Sequence, residues 1–324
     1  MISFFLLLLS SNAFALEVVC TLPWIGDIAH RVAPEAHVTT LARGSDDPHF
    51  LSPTPALMAR VANADVYAEN GLGLELWSEK LLDSAGNPKI RPGQPGFVRV
   101  TTGMNRLEVP TDLSRAKGDL HPEGNPHVWL DPLNAPVAAD NLAATLGRVD
   151  PANASTYLAN AKAFRAKIQE ATFGADLVAF MGGDLLTRLA QSNKLDEFLA
   201  QKGLTGRLGG WLKQGASLKG KPMVFYHQSW PYFVNRFGIK VVGYVEDRPG
   251  IPPTAAHRDE LVALIKANNV KVIEVTTYYD SKIPTLLAQQ TGARVATVAG
   301  DVGGLPEASD YFALITSLVT KFSQ

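Results

Sequence analysis

The sequence predicts an α/β protein of two similar lobes, each a four-stranded, mainly parallel sheet flanked by helices, joined by one long rigid helix. Three observations predict this. Strand and helix signals alternate from Leu16 to about Thr102, the alternation resumes near Pro222, and between them residues 150–172 keep a single helical spacing of apolar side chains.

The elements follow in order. The first twenty residues, "MISFFLLLLSSNAFALEVVC", carry an apolar run from Ile2 to Leu9 and then Ala13-Phe14-Ala15, which reads as a signal peptide over 1–15 without the usual basic residue before the run. From residue 16 to 150 the first lobe is expected. "EVVCTL" is a buried strand, "WIGDIAHRV" a helix and "HVTTLA" a second strand. Thr54 N-caps the next helix with Pro55 at its first position, and Leu57, Val61 and Ala62 form the apolar face. "DVYAEN", "LELWSEKLLDSA" and "FVRVTT" complete four strand–helix steps. Asp131 N-caps a further helix with Pro132 behind it.

Residues 151–180 are expected to form the linking helix, in which Tyr157, Leu158, Ala161, Phe164 and Ile168 share one face. A helix of about twenty residues there is ~30 Å long and acts as a strut. Residues 181–221 read as a helical insertion, ending in the glycine-rich "GLTGRLGGWLKQGASLKGK". The second lobe, 222–324, repeats the alternation: strand "MVFYH", helix "WPYFVNRF", strand "KVVGYV", a helix opened by Thr254, strand "VKVIEV", a helix closed by Gly292, and strand "RVATVAG".

Composition excludes several functions. The chain has 324 residues, 46% hydrophobic and 19% charged, enough for two cores, and its formal net charge of −1 offers no basic surface for nucleic acid. After the first fifteen residues no stretch is apolar enough to span a bilayer. The mature protein is therefore expected to be exported and soluble, with a periplasmic location and a monomeric state as further expectations. Cys20 is the only cysteine, so an internal disulfide is excluded, and it reads as a buried strand residue rather than a lipid anchor.

Seven histidines remain to be sorted. His30 and His37 flank the end of the first helix and His257 lies in the first turn of another, and none of them converges on other ligands. His49 follows the second strand, His227 ends the first strand of the second lobe, and His127 sits in "GNPHVWLDP" beside a proline-fixed turn. Ligands of open α/β sheets bind outside the carboxyl ends of the strands, which places these three to converge on one cleft between the lobes. Convergent neutral imidazoles favour Zn²⁺. Pro48 and Pro53 bracket His49 and leave it little backbone freedom to lose on binding.

Five ordered stretches, "DPHFLSPTP", "NGLGLELW", "GNPHVWLDPLNA", "FYHQSWPYFVNRFGIKVVG" and "EDRPGIPP", resemble the zinc and manganese receptors of bacterial metal ABC importers, the cluster A-I solute-binding family. The similarity covers nearly the whole mature chain. It implies a non-catalytic receptor that captures Zn²⁺, with Mn²⁺ as the alternative cargo, and passes it to a membrane permease. By the resemblance His49, His127 and His227 match the first three ligand positions, and a histidine at the third points to zinc. The fourth position is usually acidic, and Asp301 in "VAGDVGG" is the nearest match. Read from the residues alone, Asp301 is equally a loop aspartate bonded to backbone amides, with water completing the metal's sphere. His121, in the short "KGDLHPEGNPH", is a candidate to assist capture. Two rival functions are a zinc hydrolase, for which no H-E-x-x-H occurs, and a surface adhesin, which needs an anchor.

Overall fold

The computed structural model describes residues 15–52, 54–111, 121–246, 248 and 250–324. The expected signal peptide, apart from Ala15, and the Pro53 contribution to the bracket around His49 lie outside the described residues.

Two parallel four-stranded sheets form, with identical strand order. The first runs β2-β1-β3-β4 and contains β1 (Glu17–Cys20), β2 (His37–Thr40), β3 (Val66–Glu69) and β4 (Phe97–Arg99). The second runs β6-β5-β7-β8 and contains β5 (Pro222–Phe225), β6 (Lys240–Tyr244), β7 (Val272–Thr276) and β8 (Arg294–Val298). In register, Val18 lies between Val38 and Val66, and Met223 between Val241 and Val272. Cys20 is fully buried in β1, where loss of solvent pushes its thiol well up from its ordinary range.

The crossover helices are α1 (Pro23–Val32), α2 (Pro55–Ala62) and α3 (Ser78–Ala85), and the Thr54 hydroxyl caps α2 by accepting from the Leu57 amide. Asp131 accepts from the Leu133 amide and caps a 3₁₀ turn, Pro132–Asn134, that runs straight into α4 (Ala135–Val149). The long helix α5 (Ala154–Phe173) follows and packs along α4. Tyr157, Ala161, Phe164 and Ile168 are buried on it, but Leu158 is exposed. The buried four follow i+4, i+3, i+4 steps, whereas Leu158 is rotated ~100° from Tyr157 and leaves the stripe. The expectation of one segment to residue 180 also needs correction. Gly174 ends α5 at φ 87°, and a separate α6 (Ala175–Met181) begins there.

Short helices α7 (Gly183–Gln191), α8 (Leu195–Gln201) and α9 (Gly210–Gln214) lead into the second lobe. Its helices are α10 (Pro231–Phe237), α11 (Ala255–Ala267), α12 (Lys282–Thr291) and α13 (Tyr311–Ser323). The sequence reading stops at β8 and omits α13, whose Leu314, Ile315, Leu318, Val319 and Phe322 are buried. One continuous core runs from Val18 in β1 through Trp129, Phe164 and Trp230 to Phe322. In each sheet the strand order reverses at the first strand, β1 or β5. The crevice beyond the carboxyl ends of these strands is where such sheets present ligand groups.

Candidate metal centre

Each of the three predicted histidines is delivered by a different device. His227 leaves β5 two residues after its last strand position, at the switch point of the second sheet. His49 lies in the loop between β2 and α2, which is anchored where the Trp77 Nε1–H donates to the Pro48 carbonyl at 3.0 Å. His127 enters the 3₁₀ turn Val128–Leu130, and the Asn70 side-chain amide holds the preceding Pro126 carbonyl at 3.0 Å. The result is one cluster: His49, His127 and His227 offer nitrogen atoms that all lie within 4.8 Å of one another. Their rings stand 5.3 to 6.0 Å apart, centroid to centroid.

Their orientation follows from the hydrogen bonds. Nδ1 of His49 meets Asp47 Oδ1 at 2.7 Å, Nδ1 of His127 meets Asn125 Oδ1 at 3.0 Å, and Nδ1 of His227 meets Glu246 Oε2 at 2.7 Å. Each of these oxygens only accepts, so each Nδ1 must donate. The proton is thereby placed on Nδ1, and the Nε2 lone pair is left free. Among the described residues the buried Nε2 atoms of His49 and His127 have no hydrogen-bond partner. A buried nitrogen lone pair without a partner is costly, and a bound cation satisfies it.

Burial, helped by repulsion from His49, His227 and His121, holds the His127 imidazole well below its ordinary range. At Asp47, burial opposes ionisation, but the His49 hydrogen bond and charge, with His227 behind it, outweigh it and keep the carboxylate low. Aromatic rings wall the cluster: Trp129 lies 5.3 Å from His127 and stacks on Trp24, and Tyr279 lies 5.7 Å from His227 and stacks on Tyr226.

The other two candidates are not among the mutually close nitrogens of this trio, although His121 is its neighbour. Asp301 is buried, but it is not one of the mutually close donors found among the described residues. Its carboxyl takes the Val302 amide at 2.6 Å and also the Trp24 amide, and it borders a small crevice with Pro48, Trp129 and Tyr278. Burial, with Asp27 nearby, holds that carboxyl well above the usual range. His121 lies beside the trio, its ring 5.3 Å from His49 and 6.3 Å from His127, and its Nδ1 meets the Gly73 carbonyl at 3.1 Å.

Sequence reasoning misses the oxygen partners Asp47, Asn125 and Glu246. Two of them carry a signal. "DPH" and "NPH" are the same Asx-Pro-His tripeptide, and in both the Asx side chain also accepts the histidine's backbone N–H, at 3.0 and 3.1 Å.

Comparison with known proteins matches residues 18–173 and 204–324 to the family described as zinc-uptake complex component A, periplasmic (ZnuA). The unmatched stretch falls on α6 to α8. Among curated proteins, the iron-binding protein YfeA of Yersinia pestis is 26% identical over 97% of this chain and 88% of its own. The high-affinity zinc uptake system protein ZnuA of Bacillus subtilis is 26% identical over 81% of this chain and 71% of its own. A crystal structure of a zinc-bound ZnuA deletion mutant superposes with a TM-score of 0.70 at 21% identity, covering 96% of this chain and 97% of the other. The match to the family model spans both lobes and every one of the three converging histidines, and the chain belongs to the ZnuA family of periplasmic zinc-uptake components.

Proposed function

We propose that the protein is a non-catalytic, extracytoplasmic receptor that captures Zn²⁺ on His49, His127 and His227 between its lobes and delivers it to the permease of an ABC importer, acting as a monomer. One observation carries this reading: three imidazoles from separate loops aim free Nε2 lone pairs into one buried space, each ring steered by an oxygen on its other nitrogen. Zinc–nitrogen bonds of about 2.0–2.1 Å in a tetrahedron put ligand nitrogens about 3.4 Å apart, so a small rotation of the rings closes the trio on the ion. The iron and zinc names of equally similar relatives leave the metal to chemistry. An all-nitrogen trio ranks Zn²⁺ above Mn²⁺ and Fe²⁺. Asp301 lies outside the mutually close trio and already accepts from two backbone amides, so a water is assigned the fourth position.

The test is metal analysis and titration. Protein purified without added metal is expected to carry zinc by mass spectrometry, and the stripped protein to bind zinc far more tightly than manganese. His49→Ala, His127→Ala and His227→Ala are each expected to lose more than the ~10–100-fold in affinity typical of removing an outer hydrogen-bond partner, with the metal-free fold retained. A histidine whose alanine variant competes with a chelator as well as the parent is not a ligand.

A further inference from the structure

We propose that Asn125 is a positioning residue with two duties: it sets which ring nitrogen of His127 faces the metal, and it ties the His127 segment to the His227 segment of the other lobe. This rests on the ligand assignment above.

The repeated tripeptide frames the problem. Asp47-Pro48-His49 and Asn125-Pro126-His127 make the same turn, and for holding a ring N–H a carboxylate is the stronger acceptor. The chain nevertheless places a neutral amide at 125. The reason lies on the other side of the side chain. The Asn125 amide nitrogen faces the Gln228 carbonyl at 2.6 Å and Glu108 Oε2 at 3.1 Å, both acceptors. A carboxylate there would set oxygen against oxygen twice, whereas asparagine donates to both. The same fact fixes the orientation of the amide: with two acceptors on one side and two histidine N–H groups on the other, only one of its two flips satisfies all four contacts.

The backbone of Asn125 is also spoken for. Its N–H donates to the Leu107 carbonyl at 2.8 Å, and its carbonyl accepts from the Tyr232 hydroxyl of α10 at 2.9 Å. Every polar atom of the residue is therefore bonded, and two of the partners belong to the second lobe: Gln228, next to His227, and Tyr232, in the helix that follows it. Metal release requires His127 and His227 to part, so the Asn125–Gln228 bond bridges the gap that opens.

Two readouts test the two duties. Long-range ¹H–¹⁵N correlation of histidine side chains in the metal-free protein reports the His127 tautomer, and mixing the zinc-loaded protein with excess chelator gives the release rate. The parent is expected to hold His127 as the Nδ1–H tautomer. Asn125→Leu removes both duties: the Nε2–H form should appear, and release should quicken by about tenfold or more. Asn125→Asp keeps the acceptor but not the donor, so the tautomer should persist while release still quickens. Adding Glu108→Gln to Asn125→Asp supplies a donor within the first lobe but leaves the Gln228 carbonyl facing an oxygen, so release should stay fast; release slowed back to the parent rate overturns the cross-lobe tie. A parent in the Nε2–H form, or an Asn125→Leu variant with unchanged tautomer and release rate, overturns the proposal. If Asn125→Leu does not fold, the near-isosteric Asn125→Asp decides, and unchanged release in it overturns the cross-lobe tie. His127→Ala separates the two readings. If it releases zinc as the parent does, the ligand assignment fails; if it is damaged while the Asn125 variants are not, only the positioning role fails.

Discussion

An acceptor two residues before a histidine, with proline between, closes a turn and orients an imidazole with the same oxygen. Asp47 does this for His49 and Asn125 for His127, while Glu246, two residues beyond β6, orients the His227 ring alone. An ion held by these three imidazoles would be ringed by three neutral nitrogens backed by two carboxylates and one amide, with compensating negative charge one bond further out. Asp301 obeys different physics. Its carboxyl is buried and bonded to two amides, and burial raises its pKa in the folded protein. A carboxyl raised above its unfolded value contributes stability that is fully present below about pH 3.8 and is lost as pH rises through the folded value. Asp301→Asn keeps an acceptor for the amides without the charge. The metal-free variant is therefore expected to melt higher than the parent at pH 8 and to match it near pH 3.5, in thermal melts across that range. Its zinc affinity should fall by less than that of any of the three histidine variants. The three histidines are legible because they recur in loops at strand ends within quoted motifs. Glu246 opens one of the same stretches, but its pairing with His227 is not legible, since the two are 19 positions apart and only the parallel pairing of β5 with β6 brings them together.

At the scale of elements, alternation of buried strands and capped helices is legible almost throughout, because each crossover carries local punctuation: Thr54 and Thr254 at N-caps, Gly292 in the left-handed C-cap. The omission of α13 has a different origin. Asp310 caps it and its apolar spacing is clear, yet its role is tertiary, closing the second lobe against α1 and α9. The end of α5 is likewise set by packing rather than propensity. Ala175 onward is as helical in composition as what precedes it, but Gly174 turns the chain at φ 87° and ψ 140°, where a Cβ would sit 2.7 Å from the Gly209 Cα. Only glycine meets both demands. Gly174→Ala is expected to cost about 1–3 kcal/mol from the backbone conformation alone, with the clash against Gly209 added to it. Chemical denaturation of the metal-free protein measures this, and a loss below about 0.5 kcal/mol would mean that α5 and α9 part without cost. Zinc affinity should be untouched, because neither α5 nor α9 carries a ligand.

For the whole molecule the two sheets do not amount to two independent bodies. The core is continuous across them, and several hydrogen bonds and an ion pair cross between the lobes beside the histidine cluster. Trp129 donates from its indole to the Gly300 carbonyl at 2.9 Å, and the Tyr311 hydroxyl of α13 returns to the Trp129 carbonyl at 2.6 Å. Arg236 of α10, itself buried, forms a two-pronged pair with Asp131 at 2.9 and 2.7 Å, just behind the turn that carries His127. At the opening of the His49 loop, Gly44 packs so closely on the second lobe that a Cβ would lie 2.1 Å from the Val302 carbonyl. A protein that swings its lobes widely apart would break all of these on every cycle, including a buried ion pair whose separation leaves uncompensated charge at a cost of about 3–5 kcal/mol. Capture and release are therefore expected to use loop and ring movements at the cleft, with α5 holding the lobes at fixed distance. Small-angle scattering should give a radius of gyration of about 20 Å for a compact chain of this length, differing by less than about 1 Å between the metal-free and zinc-loaded protein, and calorimetry of the metal-free form should show one unfolding transition. A contraction of several ångströms on zinc binding, or two separable transitions, would mean that the shared core and the Arg236–Asp131 pair do not hold the lobes together. The strut reading of α5 would fall with them.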